Sequence, residues 1–248
     1  MKPTISIITA VFNRKETIEA AISSIQNQSY KDVEHIVVDG GSIDGTLDVL
    51  RSVLLGNFKL ISEVDDGIYD AINKGISLSS GDVIGLMHSD DFYADVEVLA
   101  DVAKLFCDPS IDIVYGDLDY VSKNNPTQII RKWVSGEYSK NNLQVGWMPP
   151  HPTLFVRKKV FNIIGGYSQQ YKISSDYDFT LRLFKGEFKS AYLARTLIKM
   201  RTGGISNLSL LSLFNKSRED YRIIKDHHLG GIFTLIFKNL RKFPQFFA

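Results

Sequence analysis

The chain has little cysteine and no long apolar run, and each absence removes a class of proteins. One cysteine, Cys107, occurs in 248 residues, so an internal disulfide is excluded. No uninterrupted apolar run has the length that a transmembrane helix needs. The missing disulfide framework favours a reducing, cytoplasmic compartment, and Cys107 itself is predicted to be a small core residue.

The motifs of two large nucleotide-binding classes are also missing. The residues Phe12-Asn13-Arg14 follow the first predicted strand, where NAD-type enzymes carry GxGxxG, and no P-loop pattern occurs. None of the five histidines forms a metal-binding helix pair. A nucleotide crevice in this protein is therefore expected to differ from those of both classes. No nucleic acid partner is expected.

What is present is an ordinary globular composition, with 44% hydrophobic and 23% charged residues. Before Pro109, predicted strands alternate with helices, which indicates a parallel, doubly wound sheet. After Pro109 the strands are shorter, which predicts a mixed sheet, and beyond Gly203 two helices broken at Gly230-Gly231 are expected. The predicted strands are 5–11, 35–39, 58–61, 83–88, 111–115, 118–121, 128–133, 153–156 and 198–201. The buried stripes of three helices are predicted at Ile18, Ala21, Ile22 and Ile25, at Ile68, Ile72 and Ile76, and at Leu99, Val102, Ala103 and Phe106.

Two adjacent carboxylates, Asp90 and Asp91, follow the apolar run 83–88. A strand with two apolar faces is typical of a buried parallel sheet, and ligands bind at the carboxyl ends of such strands. Carboxylate oxygens suit Mg²⁺ or Mn²⁺, which need few protein ligands when phosphates supply the rest. An Asp-rich turn that caps the next helix explains the same residues equally well.

Asp39 ends the second predicted strand, where a carboxylate can accept hydrogen bonds from a ribose or a base edge. The alternative is a turn residue that caps the second helix. Further along, Asp66 is a plausible cap of the third helix, and Asn73 is predicted to line the crevice. Asp70 and Lys74 have the i,i+4 spacing that stabilises a helix, which can explain that pair without any function.

A third acidic segment, 174–178, has the spacing of a capping box, with Ser175 and Asp178 in the two capping positions. Asp176 then lies in the first helical turn, where the helix dipole favours its ionised form. From these residues alone, a helix start is favoured over a catalytic role. Other candidates for the site are His151 in the proline-rich loop 148–152, Asp117 and Arg201.

Five segments in this order resemble the family-two inverting glycosyltransferases with the GT-A fold, over roughly residues 4–205. The segments are SIITAVFN (6–13), VVDGGSIDGT (37–46), GIYDAINKG (67–75), HSDD (88–91) and SDYDFTLRL (175–183). The combination of GGSIDGT with GIYDAINKG is similar to the subgroup that builds bacterial surface polysaccharides of the O-antigen, capsule or colanic-acid type.

The resemblance implies a Rossmann-like α/β fold of the GT-A type, with a mostly parallel central sheet, a smaller mixed sheet and a C-terminal helical tail. It divides the chain into a nucleotide-binding half (1–110), an acceptor-binding half (111–205) and the tail (206–248). It also implies transfer of a sugar, with inversion, from a UDP-sugar to a hydroxyl of a polyprenyl-diphosphate-linked saccharide. Mn²⁺ or Mg²⁺ is the implied cofactor.

The same resemblance implies roles for individual residues. Asp176 matches the catalytic base, and Asp90 matches the last residue of the family's metal-binding DXD pattern, whose first Asp is His88 here. The resemblance implies nucleoside contacts at Thr9, Phe12, Asn13 and Asp39, with Asp39 on the uracil edge. The predicted metal ligands are Asp90 and the adjacent Asp91. The further candidates for nucleotide-sugar contacts are Asp66, Asn73, Ser89, Asp90 and Arg201, and those for the acceptor side are His151, Asp117 and Tyr177.

The last predicted helix is amphipathic. Its apolar stripe consists of Ile232, Ile236, Leu240, Phe243 and Phe247, and Lys238, Arg241 and Lys242 fall away from it. An interfacial helix attracted to anionic lipid and a helix packed on the domain both fit this pattern. The first interpretation predicts a cytoplasmic protein bound peripherally to the inner membrane.

Two other functions are consistent with parts of the sequence. One is a sugar nucleotidyltransferase, although such enzymes usually carry a Gly-rich, basic phosphate loop near the first strand and none follows Val11. The other is a catalytically inactive scaffold that binds nucleotide sugars, which the departure at His88 permits. The sequence does not predict the sugar, the linkage or the oligomeric state.

Overall fold

The structure is a computed structural model, and it describes residues 2–202, 210–242 and 245. The strands are β1 (Ile5–Val11), β2 (Val33–Asp39), β3 (Phe58–Ser62), β4 (Val83–Leu86), β5 (Phe92–Tyr93), β6 (Ile113–Val121), β7 (Ile129–Trp133), β8 (Phe155–Arg157) and β9 (Ser190–Arg201). The helices are α1 (Ile18–Gln26), α2 (Thr46–Val53), α3 (Ile68–Leu78), α4 (Val98–Phe106), α5 (Lys158–Ile164), α6 (Ser175–Lys185), α7 (Leu210–Asp226) and α8 (Ile232–Leu240). The strands of this described part join one sheet in the order β3-β2-β1-β4-β8-β6-β9-β5, with β7 beside β6.

The first half of the sheet is centred on β1, whose residues are all buried. Strands β3, β2, β1 and β4 pair in parallel, as the alternation of strands and helices predicts. Helix α3 packs directly on β1 because Gly75 has no side chain, and a Cβ there would lie 2.4 Å from Ile8 Cγ2. The carboxyl ends of these parallel strands share one edge of the sheet, which is where ligands bind in such folds.

The mixed part continues the same sheet and does not form a smaller second one. Strand β8 pairs antiparallel with both β4 and β6, and β6 pairs in parallel with β9. The two strands predicted at 111–115 and 118–121 are one strand, β6, with register shifts beside Gly116 and Asp117. These two residues have the composition of a turn, but the strand accommodates them as a local irregularity.

Several local predictions are tested by burial. The stripes of α1 and α4 are confirmed. The prediction for Ile68 is wrong, because this residue opens α3 and is 45% exposed, while Ala71 and Ile72 are buried. Cys107 is also not a core residue, since it follows the end of α4 and is exposed. Helix α5 was not predicted.

Helices α7 and α8 pack on the domain, and the predicted break at Gly230-Gly231 is confirmed. Ile223 and Ile224 of α7 belong to the largest core cluster. Lys238 of α8 is buried, and its Nζ lies 2.5 Å from Asp220 Oδ2 of α7. The last helix is therefore packed on the domain through its polar side.

The apolar side of α8 points outward. Lys238 does lie away from the apolar stripe, as predicted, but the lysine is buried and the stripe is exposed. The outward residues are Ile232, Phe233, Ile236, Phe237 and Leu240, which are 46–68% exposed. Phe243 and Phe247 of the predicted stripe lie outside the described residues. Within the described ranges, no helix has both the length and the apolar character needed to cross a membrane.

Candidate active site

Asp39, at the end of β2, uses its two carboxylate oxygens differently. Oδ2 accepts hydrogen bonds from the backbone N–H groups of Gly41 and Ser42 and from the Ser62 hydroxyl, at 2.7–3.1 Å. Oδ1 is buried and has no hydrogen-bond partner among the described residues. Asp39 does not cap α2, whose cap residue is Gly45. It shapes the loop after β2 and leaves one oxygen available for a donor such as the N–H of a base.

The loop after β1 lies against the loop after β2. Asn13 adopts a φ of 51°, which asparagine tolerates better than most residues, and its side-chain oxygen accepts a hydrogen bond from Ile43 N–H at 3.0 Å. Phe12 beside it is 53% exposed, so its ring is accessible to a ligand. Thr9 is different, because it is fully buried and its hydroxyl lies 3.0 Å from His35 Nε2. The structure does not bring Thr9 to the surface of the crevice.

Two candidates in α3 have structural partners. Asn73 donates to the Tyr167 carbonyl at 2.7 Å and accepts from the Tyr167 N–H at 2.8 Å, so its amide fixes the loop after α5 and does not line the crevice. Asp70 and Lys74 form the predicted ion pair at 3.1 Å. Asp66 is exposed, and it is not the predicted cap because α3 begins without a side-chain cap.

The loop after β4 holds its two aspartates in different environments. Ser89 and Asp91 are buried, whereas Asp90 is partly accessible. Arg201, at the end of β9, donates to the Asp90 carbonyl at 2.7 Å and covers the Phe92 ring at 4.7 Å. The loop is thereby tied to the far end of the sheet.

Asp91 is an unfavourable metal ligand in this conformation. Burial and the neighbouring Asp90 raise the pKa of Asp91 well above its usual value, and the Arg201 backbone and charge only partly oppose this. Neither carboxyl oxygen makes a hydrogen bond of normal geometry with the described residues. Because Asp91 is buried and Asp90 is partly accessible, Asp90 is the better placed of the two to bind a cation.

Three side chains from distant segments meet at Asp176. The Nε2 atoms of His88 and His151 are 2.9 Å apart, and His151 Nδ1 lies 3.6 Å from Asp176 Oδ2. The Tyr69 hydroxyl lies 3.4 Å from Asp176 Oδ1. Burial lowers the pKa of His88, and the charges of Asp90 and Asp176 oppose this shift. The charges of Asp90, from the first half of the chain, and Asp176, from the second half, therefore both act on the His88 imidazole.

The surroundings of Asp176 favour its ionised form. Burial alone would raise the pKa of this carboxyl, but His151, Lys216, Lys238 and the backbone N–H of Tyr177 outweigh burial, and the pKa is lowered. Burial and the adjacent His88 lower the pKa of His151 to about 4, so the imidazole is neutral at neutral pH. Asp176 is thus an ionised, partly accessible carboxylate.

Helix α6 begins without the predicted capping box. Ser174 is the cap residue and makes no side-chain cap bond, and the Ser175 hydroxyl is buried without a partner among the described residues. Asp178 bonds to Arg182 and His227 instead, each at 2.9 Å. The prediction that Asp176 lies in the first turn of the helix is confirmed.

The segment before α6 is held by a residue that the sequence did not single out. The Glu219 carboxylate of α7 accepts hydrogen bonds from the backbone N–H groups of Lys172, Ile173 and Ser174 at 2.8–3.1 Å. Because this segment leads directly into Asp176, Glu219 fixes where that carboxylate lies.

The two remaining acceptor-side candidates lie on β6 and α6. Asp117 accepts hydrogen bonds from Ser135 N–H at 2.8 Å and from the Tyr192 hydroxyl at 2.8 and 3.0 Å. Tyr177 is fully buried, and Lys238 Nζ lies 3.8 Å from its ring centre. Tyr177 therefore supports α8 and does not face a ligand.

Sequence reasoning missed two residues near Asp176. Tyr69 lies inside the segment GIYDAINKG, which also contains Asp70, Asn73 and Lys74. A phenolic hydroxyl close to these polar side chains was the feature that could have indicated a site residue. Glu219 gave no signal, because one glutamate in a charged helix has the composition of a solvated face.

The donors at this edge fit a hard cation that takes most of its ligands from a diphosphate. Among residues 2–202, 210–242 and 245, no cluster of three or more His, Cys, Asp or Glu residues is arranged to hold a metal ion by itself. An accessible carboxylate such as Asp90 is nevertheless a sufficient protein ligand when phosphate oxygens complete the coordination.

The chain is similar to proteins that transfer sugars. A PGL/p-HBAD biosynthesis glycosyltransferase of Mycobacterium bovis (strain BCG / Pasteur 1173P2) is 34% identical over 187 residues, which are 73% of this chain and 70% of that protein. The chondroitin synthase of Pasteurella multocida (strain Pm70) is 26% identical over 190 residues, 75% of this chain and 20% of that protein.

Solved structures share the fold. The mannosyltransferase PcManGT from Pyrobaculum calidifontis, in complex with GDP-Man and Mn²⁺, aligns with a TM-score of 0.67 at 14% identity, over 97% of this chain and 74% of that one. TarS 1-349 of S. aureus, in complex with UDP-GlcNAc, aligns with a TM-score of 0.68 at 18% identity, over 90% of this chain and 65% of that one. Residues 6–173 match the family described as Glycosyl transferase family 2. With its GT-A-type fold and its polar sheet edge, this chain belongs to glycosyl transferase family 2 and is a glycosyltransferase.

Proposed function

We propose that the chain transfers a sugar from a UDP-sugar, with inversion, to a hydroxyl of a polyprenyl-diphosphate-linked saccharide during synthesis of a bacterial surface polysaccharide. The observation that carries the mechanism is Asp176, a partly accessible carboxylate that lies 3.6 Å from His151, which in turn lies 2.9 Å from His88 beside Asp90. A base and a diphosphate-binding residue are expected to flank the reacting carbon in a single displacement.

Each residue has a defined task in this reaction. The free Oδ1 of Asp39 accepts the N–H of uracil, and Phe12 packs against the base. Asp90 would hold a divalent cation, which when bound neutralises the charge that develops on the departing diphosphate. The acceptor oxygen forms a bond to the anomeric carbon on the face opposite the donor phosphate, whose carbon–oxygen bond breaks. Asp176 takes the proton that the acceptor hydroxyl loses.

The neighbours of Asp176 keep it suited to this task. Burial raises the pKa of Tyr69, so its hydroxyl stays protonated; it donates to the Ile173 carbonyl at 2.9 Å and lies 3.4 Å from Asp176 Oδ1. His151 lowers the pKa of Asp176 only where the imidazole is itself charged, and with a pKa of about 4 it is neutral at neutral pH. The carboxylate is thus oriented from two sides and remains free to accept a proton as the bond to the acceptor forms.

A lipid-linked acceptor agrees with the outer face of α8. A helix that buries a lysine and exposes five apolar residues is poorly adapted to water alone and well adapted to the boundary of a bilayer. We infer a peripheral position on the cytoplasmic face of the inner membrane. A sugar nucleotidyltransferase disagrees with the family of this chain. Such enzymes also usually carry a Gly-rich, basic phosphate loop near the first strand, and none follows Val11.

Nucleotide binding tests the donor assignment. UDP is expected to raise the melting temperature more than GDP does at equal concentration, because bound ligand stabilises by RT ln(1 + [L]/Kd). Asp39→Asn should reduce this preference, since an amide at Oδ1 can no longer be relied on to accept the uracil N–H. Asp90→Ala should keep the UDP shift measured without metal and lose the additional shift produced by Mn²⁺. Equal shifts for UDP and GDP in the wild type would contradict the proposal.

Turnover separates an enzyme from an inactive scaffold. The wild type with Mn²⁺ is expected to release UDP from one member of a panel of UDP-sugars when a polyprenyl-diphosphate-linked saccharide is present. Nucleotide binding without UDP release from any donor, with or without an acceptor, would support the scaffold.

A further inference from the structure

A cavity of about 420 Å³ lies between β7, the loop that precedes β8, and α8. This volume falls within the range of small-molecule sites in proteins. Its lining includes the cations Lys132, Lys238, Arg241 and Lys242, and no acidic residue is among the described residues that line it. Nothing in the roles assigned above uses this cavity.

The positive charge at the cavity is concentrated enough to be unfavourable. Burial lowers the pKa of Lys238 to about 8, and Lys216 adds to this shift while Asp220 opposes it. Burial, Lys216 and Arg131 lower the pKa of Lys242, and Asp220 and Asp176 only partly oppose this shift. Cations that repel one another in a partly desolvated position are stabilised by an anion, and they favour a polyvalent one.

The cavity wall also carries rigid aromatic groups. Trp133 and Trp147 line it together with Met148. The Trp147 indole N–H donates to the Ser135 carbonyl at 2.8 Å, which fixes the orientation of this ring. A cationic cavity with aromatic walls suits a phosphorylated ligand that is partly apolar. The cations bind its phosphate, and the rings bury its apolar part, which a fully hydrated ion does not have.

One residue of the cavity lining, Lys238, connects the cavity to the segment that carries the proposed catalytic carboxylate. Lys238 Nζ lies 3.8 Å from the centre of the Tyr177 ring, and Tyr177 follows Asp176 in the chain. The charge of Lys238 contributes to the lowered pKa of Asp176. On another wall, Ser135 donates its backbone N–H to Asp117 at 2.8 Å. A ligand held here lies on the acceptor side of the site.

We propose that this cavity binds the diphosphate group of the lipid-linked acceptor, with Lys132, Arg241 and Lys242 as the phosphate contacts. This inference rests on the proposed function and adds the position of the acceptor. Lys238 keeps its pairing with Asp220 and adds electrostatic attraction for the phosphate groups. The outward apolar face of α8 lies on the other side of the same helix, and the prenyl chain enters the bilayer there. The attacked hydroxyl therefore belongs to a sugar close to the diphosphate.

The test measures binding of inorganic pyrophosphate and of farnesyl diphosphate to the full chain by isothermal titration calorimetry. The wild type should bind both ligands. The double variant Arg241→Gln/Lys242→Gln should weaken both by at least tenfold, and it should fold normally because Arg241 is exposed and Lys242 is repelled by Lys216 and Arg131. The matched control Lys123→Gln/Lys225→Gln removes two exposed lysines outside the cavity and should bind like the wild type. UDP binding, measured in the same way, should be equal in all three proteins.

Several results would overturn the proposal. They are the absence of diphosphate binding, equal binding by wild type and the cavity variant, and displacement of pyrophosphate by UDP, which would assign it to the nucleotide crevice. Binding to phosphatidylglycerol vesicles without binding to either diphosphate would instead make the cavity a headgroup site, and this also overturns it. Failure of UDP to bind the wild type would contradict the proposed function. The diphosphate titration contains no nucleotide-sugar donor, so its result tests the acceptor site separately.

Discussion

Asp176 and Asp178 lie two positions apart in the first turn of α6, yet their partners differ completely. Asp178 is committed to Arg182 and His227 through two short contacts. Asp176 has a long contact to Tyr69 and a longer one to His151, and its carboxylate remains partly accessible. The first arrangement holds a fold together, and the second leaves a group free to react.

Asp176→Asn is expected to lower kcat by roughly 10²–10⁴, the usual contribution of a positioned general base, because an amide cannot accept the acceptor proton. The melting temperature and the affinity for UDP should stay close to those of the wild type. Steady-state kinetics at saturating donor and acceptor, together with a UDP titration, measure these effects. A kcat within a few-fold of the wild type would remove Asp176 from the mechanism.

Asp178→Asn serves as the control for this experiment. Losing the charge that pairs with Arg182 and His227 should cost roughly 1–3 kcal/mol of the free energy of unfolding. The kcat per folded molecule should change by no more than a few-fold. If the two variants show the reverse pattern, the base is Asp178.

Single residues were predictable where their chemistry shows in the local sequence. The positions of Asp39 and Asp90 at the carboxyl edge of the sheet could be predicted because each follows an apolar run of strand length. The helix face shared with Asp70 predicts Asn73 in the crevice, and the family resemblance implies the same for Thr9. Their actual partners, Tyr167 and His35, are distant along the chain. A partner that distant cannot be derived from local spacing.

At the level of the element, α7 positions α6. Glu219→Ala removes the acceptor for three backbone N–H groups that precede Asp176. We expect kcat to fall by about tenfold, on the order of 1.4 kcal/mol, because a mispositioned base loses part of its contribution. UDP binding should be unchanged, since no nucleotide contact is involved. Glu219→Gln keeps one carbonyl acceptor and should retain more activity.

Arg218→Ala is the matched change on the same helix, at an exposed position. It should leave both kcat and UDP affinity unchanged. A loss of activity in Arg218→Ala equal to that in Glu219→Ala would mean that α7 acts through its general stability and not through the loop before α6.

Elements were predicted well where one periodic pattern acts alone. The stripes of α1 and α4 and the position of β1 follow from hydrophobic spacing. Helix α8 shows why the orientation of a helix needs the whole structure: the stripe was visible, but the electrostatic partner that draws Lys238 inward, Asp220, lies in another helix. Amphipathic spacing identifies two faces without saying which one meets the domain.

At the level of the whole molecule, acid stability depends on two adjacent residues of β2. Burial would raise the pKa of Glu34, but hydrogen bonds from Lys59, Ser6 and Ser80 lower it from 4.5 to about 2. Burial lowers the pKa of His35 from 6.5 to about 4. In both cases the unfolded chain binds protons at a higher pH than the folded chain, so stability is lost as pH falls.

The free energy of unfolding should therefore decline from pH 6.5 through 4 as His35 titrates, and from pH 4.5 through 2 as Glu34 titrates. Glu34→Gln should cost about 1–3 kcal/mol at pH 7, since Lys59 is partly exposed and solvent screens the pair. The variant's decline between pH 4.5 and 2 should be shallower. Urea unfolding at pH 7, 5 and 3.5 measures both effects, and parallel pH profiles for the two proteins would contradict the assignment.

Membrane association is also a property of the whole molecule. Phe233→Ser/Phe237→Ser should reduce co-flotation with vesicles that contain anionic lipid, because it removes two large apolar side chains from the outward face of α8. The variant should keep its melting temperature, since these side chains are exposed. Unchanged flotation would mean that this face does not contact lipid.

The contact between Arg201 and the Asp90 carbonyl sets an order of events during protein synthesis. These residues are 111 positions apart, and β5, next to the loop, pairs with β9. On the ribosome, β1, β2, β3 and β4 can pair while the rest of the chain is still being made, because all of them lie within the first 86 residues. The loop after β4 acquires this anchor only after β9 emerges. In the proposed function, the nucleoside contacts at Phe12 and Asp39 would therefore form before the cation-binding loop is complete.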